Sequence, residues 1–551
     1  MKKYNIPQPL SFLAVAIAAI THTSSVQAYQ IETSNPKLVV RWDNTIRYNL
    51  GVRTESQDER LLANSIFNDG DKKFDKGDVI TNRIDLLSEF DIDYDQIFGL
   101  RLTAAAWYDN AYDDDKLPEG TDSPYSSGRY SDQVSRFING PSGEILDAFV
   151  WANFELGEAL VNVKLGKHSI LWGEGLLLGA HAISYSQAPI DGLKAVSSPG
   201  IETKEVFLPI NQISFKAQVL DNLTLMGQYA LDWKPFRTPY PGTYLMGADF
   251  APGADQFNFA PGVNGTVLDP REPEDGKIWG LGLKWSVDAI DSDLGFYYRE
   301  FDDVTPESGV LVSFTNPANP STYTFQSPYA EDVSIYGLSL GTSIGAVSVG
   351  SELSYRKNGH LNSVTSYETA LGYDTGAVGN TWHAVVNGAY LLPNTSFWDT
   401  GSLVAEMAYS RLDKITKNEE LYRGEGYVAC VNANEDMSDG CSTDNFWQIA
   451  FNFTPEYLQI IPGWDLKLPI SYNAGISGTA ASGTAGNQDA VSWSIAAAGI
   501  YLNKYEFTLR YADRSADTKY VDGVAVGGNG SKSTLGVTDR GYLNFTFKVA
   551  F

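Results

Sequence analysis

The feature that most constrains this chain is period-two alternation sustained over long segments, with charge confined to one face. Val40, Trp42, Ile46, Tyr48, Leu50 and Val52 share one face of the first such segment, while Arg41, Asp43, Thr45, Arg47, Asn49 and Arg53 share the other. Successive side chains of a strand point to opposite sides, so one face suits lipid and the other water. Ile80, Ile84, Leu86, Phe90, Ile92 and Tyr94 then alternate with Asp85, Glu89, Asp91, Asp93 and Asp95, and Leu100, Leu102, Ala104 and Ala106 run back after a tight turn. The pattern recurs at Trp279, Leu281, Leu283 and Trp285, and again from Val491 to Tyr511, where Glu506, Thr508 and Arg510 oppose Tyr505, Phe507, Leu509 and Tyr511. An Arg or Lys facing the bilayer midplane costs about 2–4 kcal/mol, so the charged faces must line a lumen.

Connections between these segments alternate between short and long. Short ones fall near 95–98, 156–159, 220–223, 288–292, 344–345, 392–398, 455–463 and 502–503, and long ones near 54–77, 110–143, 173–204, 235–275, 305–330, 358–378, 412–443, 479–488 and 516–537. A membrane-spanning hairpin array produces this alternation, with periplasmic turns and external loops. The predicted fold is all-β: a transmembrane antiparallel up-and-down β-barrel of about 18 strands, with 16 as the alternative count, in the outer membrane. The final strand places Leu543, Phe545, Phe547, Val549 and the terminal Phe551 on one face. The aromatic end formed by Phe545, Phe547, Val549 and Phe551 is read as a barrel-assembly signal.

Both ends of the sequence agree with export. Met1-Lys2-Lys3, the apolar run Leu10 to Ile20, and Val26-Gln27-Ala28 have the layout of a secretory signal peptide, expected over residues 1–28 and leaving 29–551 as one barrel domain. That apolar run is shorter than the roughly 20 residues a spanning helix needs. No plug or passenger segment is expected ahead of the first strand, which disfavours energy-coupled uptake. The net charge of −27 disfavours nucleic acid as a partner, and acidic external loops facing solvent account for it. Outer-membrane lipid is the expected surrounding, with divalent cations bridging acidic loops to headgroups as an option. The two cysteines, Cys430 and Cys441, fall in one long connection of an exported chain, which favours a disulfide staple over a metal site. Asp69-Gly70-Asp71 through Asp78 is only superficially like a calcium loop, because Lys73 occupies the fifth position and no bidentate Glu stands at the twelfth. No cofactor is expected.

Several stretches resemble one bacterial family, domain-of-unknown-function family 1302. They are Asn68 to Asp78, Val163-Lys164-Leu165-Gly166-Lys167-His168-Ser169-Ile170-Leu171-Trp172-Gly173-Glu174, Phe207-Leu208-Pro209, Leu231-Asp232-Trp233 through Pro239, and Pro462-Gly463-Trp464-Asp465-Leu466. The family pattern has Arg-Gln where this chain has Lys167-His168. The resemblance implies a porin-like barrel that handles hydrophobic compounds such as alkanes or steroids, in association with a periplasmic lipoprotein-like partner.

Two long loops hold the candidate site residues. The third contains Leu176, Leu177, Leu178, Ile183, Ile190 and Leu193, too apolar for an exposed external loop. Folded into the barrel they either form a constriction or pack against the inner wall. The fourth holds Phe236, Tyr240, Tyr244 and Phe250, either a capture surface for a greasy solute or a loop packed on its own rings. Trp42, Trp107, Trp279, Trp285, Trp382, Trp447 and Trp493 read as interfacial belt residues. Catalysis finds no motif, since His168, His181, His360 and His383 lack a nucleophile or acid at usable spacing. The expected function is passive passage of a small hydrophobic or amphiphilic compound. The alternative is a barrel that transports nothing, acting as a scaffold, an adhesin or a lipid-modifying enzyme.

Overall fold

The computed structural model describes residues 29–551 apart from 66–67, 113–115, 118–122, 199, 250–251, 261–262, 317–318, 431–439, 484 and 529–535. The expected signal peptide, 1–28, and Phe250 therefore lie outside the described residues. Eighteen antiparallel strands close into one barrel. In chain order they are β1 (Leu38–Arg53), β2 (Val79–Tyr94), β3 (Phe98–Asp109), β4 (Ser142–Leu156), β5 (Ala159–His168), β6 (Ile210–Leu220), β7 (Leu223–Ala230), β8 (Ile278–Val287) and β9 (Ser292–Phe301). They continue as β10 (Val333–Ile344), β11 (Val347–His360), β12 (Val378–Leu391), β13 (Thr400–Lys417), β14 (Asn445–Ile461), β15 (Trp464–Lys467 and Ile470–Ser477), β16 (Val491–Tyr501), β17 (Tyr505–Ser515) and β18 (Tyr542–Ala550). Among the described residues no helix is long and apolar enough to cross a membrane.

Each strand pairs with its sequence neighbours, and β1 meets β18 from Thr45↔Ala550 to Arg53↔Tyr542. Phe551 completes that seam: its N–H donates to the Asn44 carbonyl at 2.9 Å, and Asn44 N–H donates back to its carbonyl at 2.8 Å. Phe547 and Val549 pack there with Ile46, Tyr48, Tyr505 and Phe545. Beyond the end of β18, Tyr29–Ile31 pairs with Val40 to Trp42 and covers the edge that β18 leaves open. Several turns are tight. Asp95-Gln96 and Leu502-Asn503 each place two residues at positive φ, the type I′ geometry whose twist matches the flanking strands.

The faces follow the charge pattern. Arg47, Asn49, Arg53, Arg83 and Asp85 are buried inside, whereas Trp42, Leu86, Leu102, Leu281, Leu338 and Trp382 are exposed on the lipid side. Trp107 departs from the expected belt. It is buried on the lumen side with its indole N–H donating to the Arg136 carbonyl at 3.1 Å and the Lys194 ammonium 4.6 Å from the ring. The physical reason is parity: in β3 the residues on Trp107's side are Thr103, Ala105 and Asp109, all buried, while Leu102 faces lipid.

The external loops carry structure that alternation does not announce. Gln256–Ala260, Val263–Val267, Tyr323–Gln326, Val310–Phe314 and Ser366–Glu368 form a five-stranded sheet that joins three successive loops. Cys430 and Cys441 form the expected disulfide in the loop after β13.

Leu338 sits at the middle of β10 and pairs with Phe296 and Leu353, two more exposed apolar side chains. Leu338→Arg is expected to cost about 2–4 kcal/mol of unfolding free energy in phospholipid vesicles, measured by denaturant titration. An unchanged midpoint would contradict the assignment of this face to lipid.

Candidate functional site

Two carboxylates on the inner wall organise the lumen. Glu352 of β11 and Glu406 of β13 are both buried, on the same side of their strands as Ser354, Arg356, Ala408 and Ser410. The loop after β5, residues 169–209, runs between them. Glu352 accepts hydrogen bonds from the backbone N–H groups of Glu174, Gly175 (2.7 Å) and Ile183 (2.7 Å). Glu406 accepts from Leu176 (2.6 Å), Leu177 (2.9 Å) and Leu178 (2.5 Å). Asn387 of β12 bridges the two groups, donating to the Glu174 carbonyl at 2.6 Å and to Glu406 at 3.1 Å. Hydrogen bonds to an ionised acceptor are roughly twice as strong as neutral ones, and here they replace a partner for backbone that has no ladder.

Local sequence makes that path possible. Gly173 adopts φ +95°, and a Cβ there would lie 2.2 Å from a Glu352 carboxylate oxygen. On the wall, Gly337 leaves the slot that Ile183 fills, since a Cβ would stand 2.8 Å from the Ile183 side chain. Further along, Arg299 donates to the carbonyls of Ile183 (2.8 Å) and Tyr185 (2.7 Å), and Arg356 donates to that of Ala180 (2.9 Å) while lying 3.6 Å from the Tyr185 ring centre. Asp303 accepts from the hydroxyls of Tyr185 (2.6 Å) and Ser186 (3.0 Å). The His181 and His383 Nδ1 atoms stand 3.1 Å apart. The far end of the loop is tied by Lys194 to Glu144 (2.7 Å), Glu205 to Arg47 (3.0 Å) and Glu202 to Lys548 (2.8 Å).

These contacts reach the wall as far as Gln448 and Ala450 of β14 and leave the rest, on to β17, uncovered. A cavity of 270 Å³ lies against it, lined on the wall by Asn452, Ser471, Asn473, Ser492, Ser494 and Ala512. Small side chains are what keep this part of the lumen open. Leu177, Leu245 and Val537 face them from the loop side, and the charged groups of the lining are Arg510, Arg514, Arg540 and Asp513.

The expected constriction residues thus separate. Leu177 lines the cavity and Leu176 is 54% exposed beside it. Leu178 packs on Val385, Ala408 and Ala450, and Ile183 on Trp172, Met226 and Tyr297. Ile190 pairs through its backbone with Phe207, and Leu193 joins an external cluster. That cluster also takes Tyr240 and Tyr244, which pack with Phe74, Tyr112 and Tyr130, so their ring faces meet protein rather than solvent. Phe236 lies against Gly192, where a Cβ would come within 2.7 Å of its ring. Glu352 and Glu406 were not anticipated from the sequence. The one available signal is an acid placed mid-strand on an inward face of otherwise small residues.

The acidic stretch before β2 folds as a short helix, Asp69–Lys73, and its acids are used internally. Asp71 pairs with Arg53 at 2.5 Å, and Asp249 accepts from the N–H groups of Asp69 (3.1 Å) and Gly242 (3.3 Å). Burial pushes the carboxyls of both Asp71 and Asp249 up to about 6.

A closed barrel with a lipid-facing exterior and a loop folded into its lumen defines a porin-like protein of the bacterial outer membrane. The chain belongs to the family described as a protein of unknown function (DUF1302), whose model matches residues 10–551. No curated protein matches it in sequence. Among solved structures it is similar to Pseudomonas aeruginosa OpdK crystallised with vanillate, with 10% identity, a TM-score of 0.39, and 93% of this chain and 98% of that one covered. Acinetobacter baumannii OccAB4 gives 10% identity and a TM-score of 0.42 over 95% and 99% of the two chains. A BenF-like porin from Pseudomonas fluorescens Pf-5 gives 10% identity and a TM-score of 0.39 over 93% and 98%.

Glu406→Gln removes the charge that holds three backbone N–H groups, each worth about 1–3 kcal/mol when left buried without a partner. A spin label at position 179, where a side chain would meet nothing within 4 Å, is expected to gain mobility in this variant. An unchanged spectrum would show that the wall carboxylate does not hold the loop. The raised carboxyls of Asp71 and Asp249 give a second expectation. Their folded values lie above the unfolded ones, so the external cluster is most stable near pH 4 and loses that contribution as pH rises through about 6. Hydrogen exchange at the Tyr244 amide, which donates to the Tyr112 hydroxyl, should be slower at pH 5 than at pH 7.5 after correction for intrinsic rate.

Proposed function

We propose that the protein is a passive channel through which a small hydrophobic or amphiphilic compound crosses the outer membrane. The observation that carries this reading is the asymmetric filling of the lumen. Loop 169–209 is fastened against one part of the wall, while the 270 Å³ cavity beside β14–β17 keeps polar wall groups on one side and Leu177, Leu245 and Val537 on the other. A two-sided lining of this kind suits a solute with an apolar body and a polar group. Leu176 and Leu177 are the residues proposed to set the width of the passage. Their backbone is held by Glu406, while the Leu177 side chain, packed on one side by the Leu178 cluster, lines the cavity and that of Leu176 is exposed. Outer-membrane lipid surrounds the barrel, and the solute is its small-molecule partner.

A second reading, a barrel that serves as a scaffold and transports nothing, has the packed cluster of external loops in its favour. Reconstitution separates the two. The purified protein in planar phospholipid bilayers is expected to give discrete conductance steps, and Leu177→Trp to lower the step size several-fold without loss of folded protein. A wild-type barrel that passes neither ions nor solute would end the transport reading. Steps unaffected by Leu177→Trp would move the narrow point away from this loop.

A further inference from the structure

Most inward-facing arginines near the middle of this barrel have partners. Arg47, Arg53 and Arg83 meet carboxylates, and Arg299, Arg356 and Arg540 donate to backbone carbonyls. Arg510 and Arg514 of β17 both line the cavity, yet among the described residues neither guanidinium makes a hydrogen bond or an ion pair. Their wall neighbours give them none: Arg510 stands opposite Ala496 and Asn544, and Arg514 opposite Ser492. In a chain of net charge −27, where the lumen carboxylates Glu352 and Glu406 are spent on backbone N–H groups, this cavity sets three arginines, Arg510, Arg514 and Arg540, against one carboxylate, Asp513, and its balance is positive.

We infer that this wall is an anion path, on which a carboxylate-bearing amphiphile is received by Arg514 and passed to Arg510. The inference rests on the channel reading and names the class of solute. A planar guanidinium matches a carboxylate with two parallel hydrogen bonds, the pairing that both groups lack within the protein. Four residues of strand separate the two arginines by about 13 Å, so they form successive stations along the lumen rather than one tight pocket. Two weak stations let an anion enter and leave, whereas one strong site would trap it. Opposite them, Leu177, Leu245 and Val537 offer the apolar surface that the rest of the solute would touch. A neutral hydrocarbon would gain nothing from either arginine.

The test uses the full-length protein in planar bilayers of neutral phosphatidylcholine, at about 0.1 M KCl on the dilute side, where the Debye length of about 10 Å leaves lumen charges effective. The reversal potential under a KCl gradient should show preference for chloride over potassium, and Arg510→Gln/Arg514→Gln should abolish that preference. Sodium octanoate should interrupt the wild-type current, with events shortened about tenfold in the double variant, the loss expected for one charge-assisted hydrogen bond. Octyl glucoside below its micelle concentration should behave alike in both proteins. The paired Lys replacement should restore chloride preference while leaving octanoate events short, because an ammonium keeps the charge but not the fork. Cation preference in the wild type, or octanoate events unchanged by the Gln replacements, would overturn the inference while leaving a working channel. A barrel that carries no current would remove the channel reading itself.

Discussion

Inside a bilayer a backbone N–H or carbonyl has no water to turn to, and the whole architecture follows from that. A sheet satisfies these groups only if it has no free edge, so β1 must find β18 across nearly the full length of the chain. The seam is completed by the reciprocal bonds between Asn44 and Phe551, and by Tyr29–Ile31 lying along the part of β1 that β18 does not reach. Closure in turn fixes the faces. Once the edges are gone, every strand has one side in lipid and one in the lumen, and a shift of one residue would exchange Trp42 for Arg41 at the membrane.

An 18-stranded barrel encloses more space than its own wall side chains can fill, and the interior has to be furnished from the loops. Irregular backbone brought inside carries the same obligation as the wall, with no ladder to meet it. Glu352 and Glu406 meet it with carboxylates, each taking three N–H groups at once, which is why acids occur on this inner face where a hydroxyl offers only two lone pairs and brings a donor of its own. Arg299 and Arg356 do the complementary work for carbonyls. Charged side chains serve here as anchors for backbone, and their value lies in placing the loop.

Strand faces, turn positions and the strand number could be read from the sequence because each depends on neighbours at a spacing of two and on the cost of a charge in lipid. Arg47 and Arg53 are inside and Trp42 outside for that reason alone. The same rule, applied to Trp107 by residue type instead of by its place in β3, gave the wrong side. What could not be read is contact between distant segments. Glu352 and Gly175 are 177 residues apart, and nothing local to either announces the other. The sheet shared by three external loops escaped for a related reason. Its strands run three to five residues, too short for a periodic signal, and two of its pairings, Val263–Val267 with Tyr323–Gln326 and Val310–Phe314 with Ser366–Glu368, are parallel and cross from one loop to the next.

The division of the lumen into a filled side and a bare side is itself a consequence of side-chain size. Large inward groups, Arg47, Arg299, Arg356 and Trp107, stand where the loop is seated, and each has something in the loop or its surroundings to hold. Past Gln448 of β14, which still reaches His181 of the loop, the inward row through β17 is mostly Ala, Ser and Asn around the cavity, residues too short to reach a loop across the barrel. A wall that cannot grip leaves space, and the two arginines that interrupt it are the only large cationic groups lining that space without a protein partner among the described residues. The same economy that fastens one half of the barrel therefore exposes charge in the other, and it is on this exposed charge that a passing solute would act.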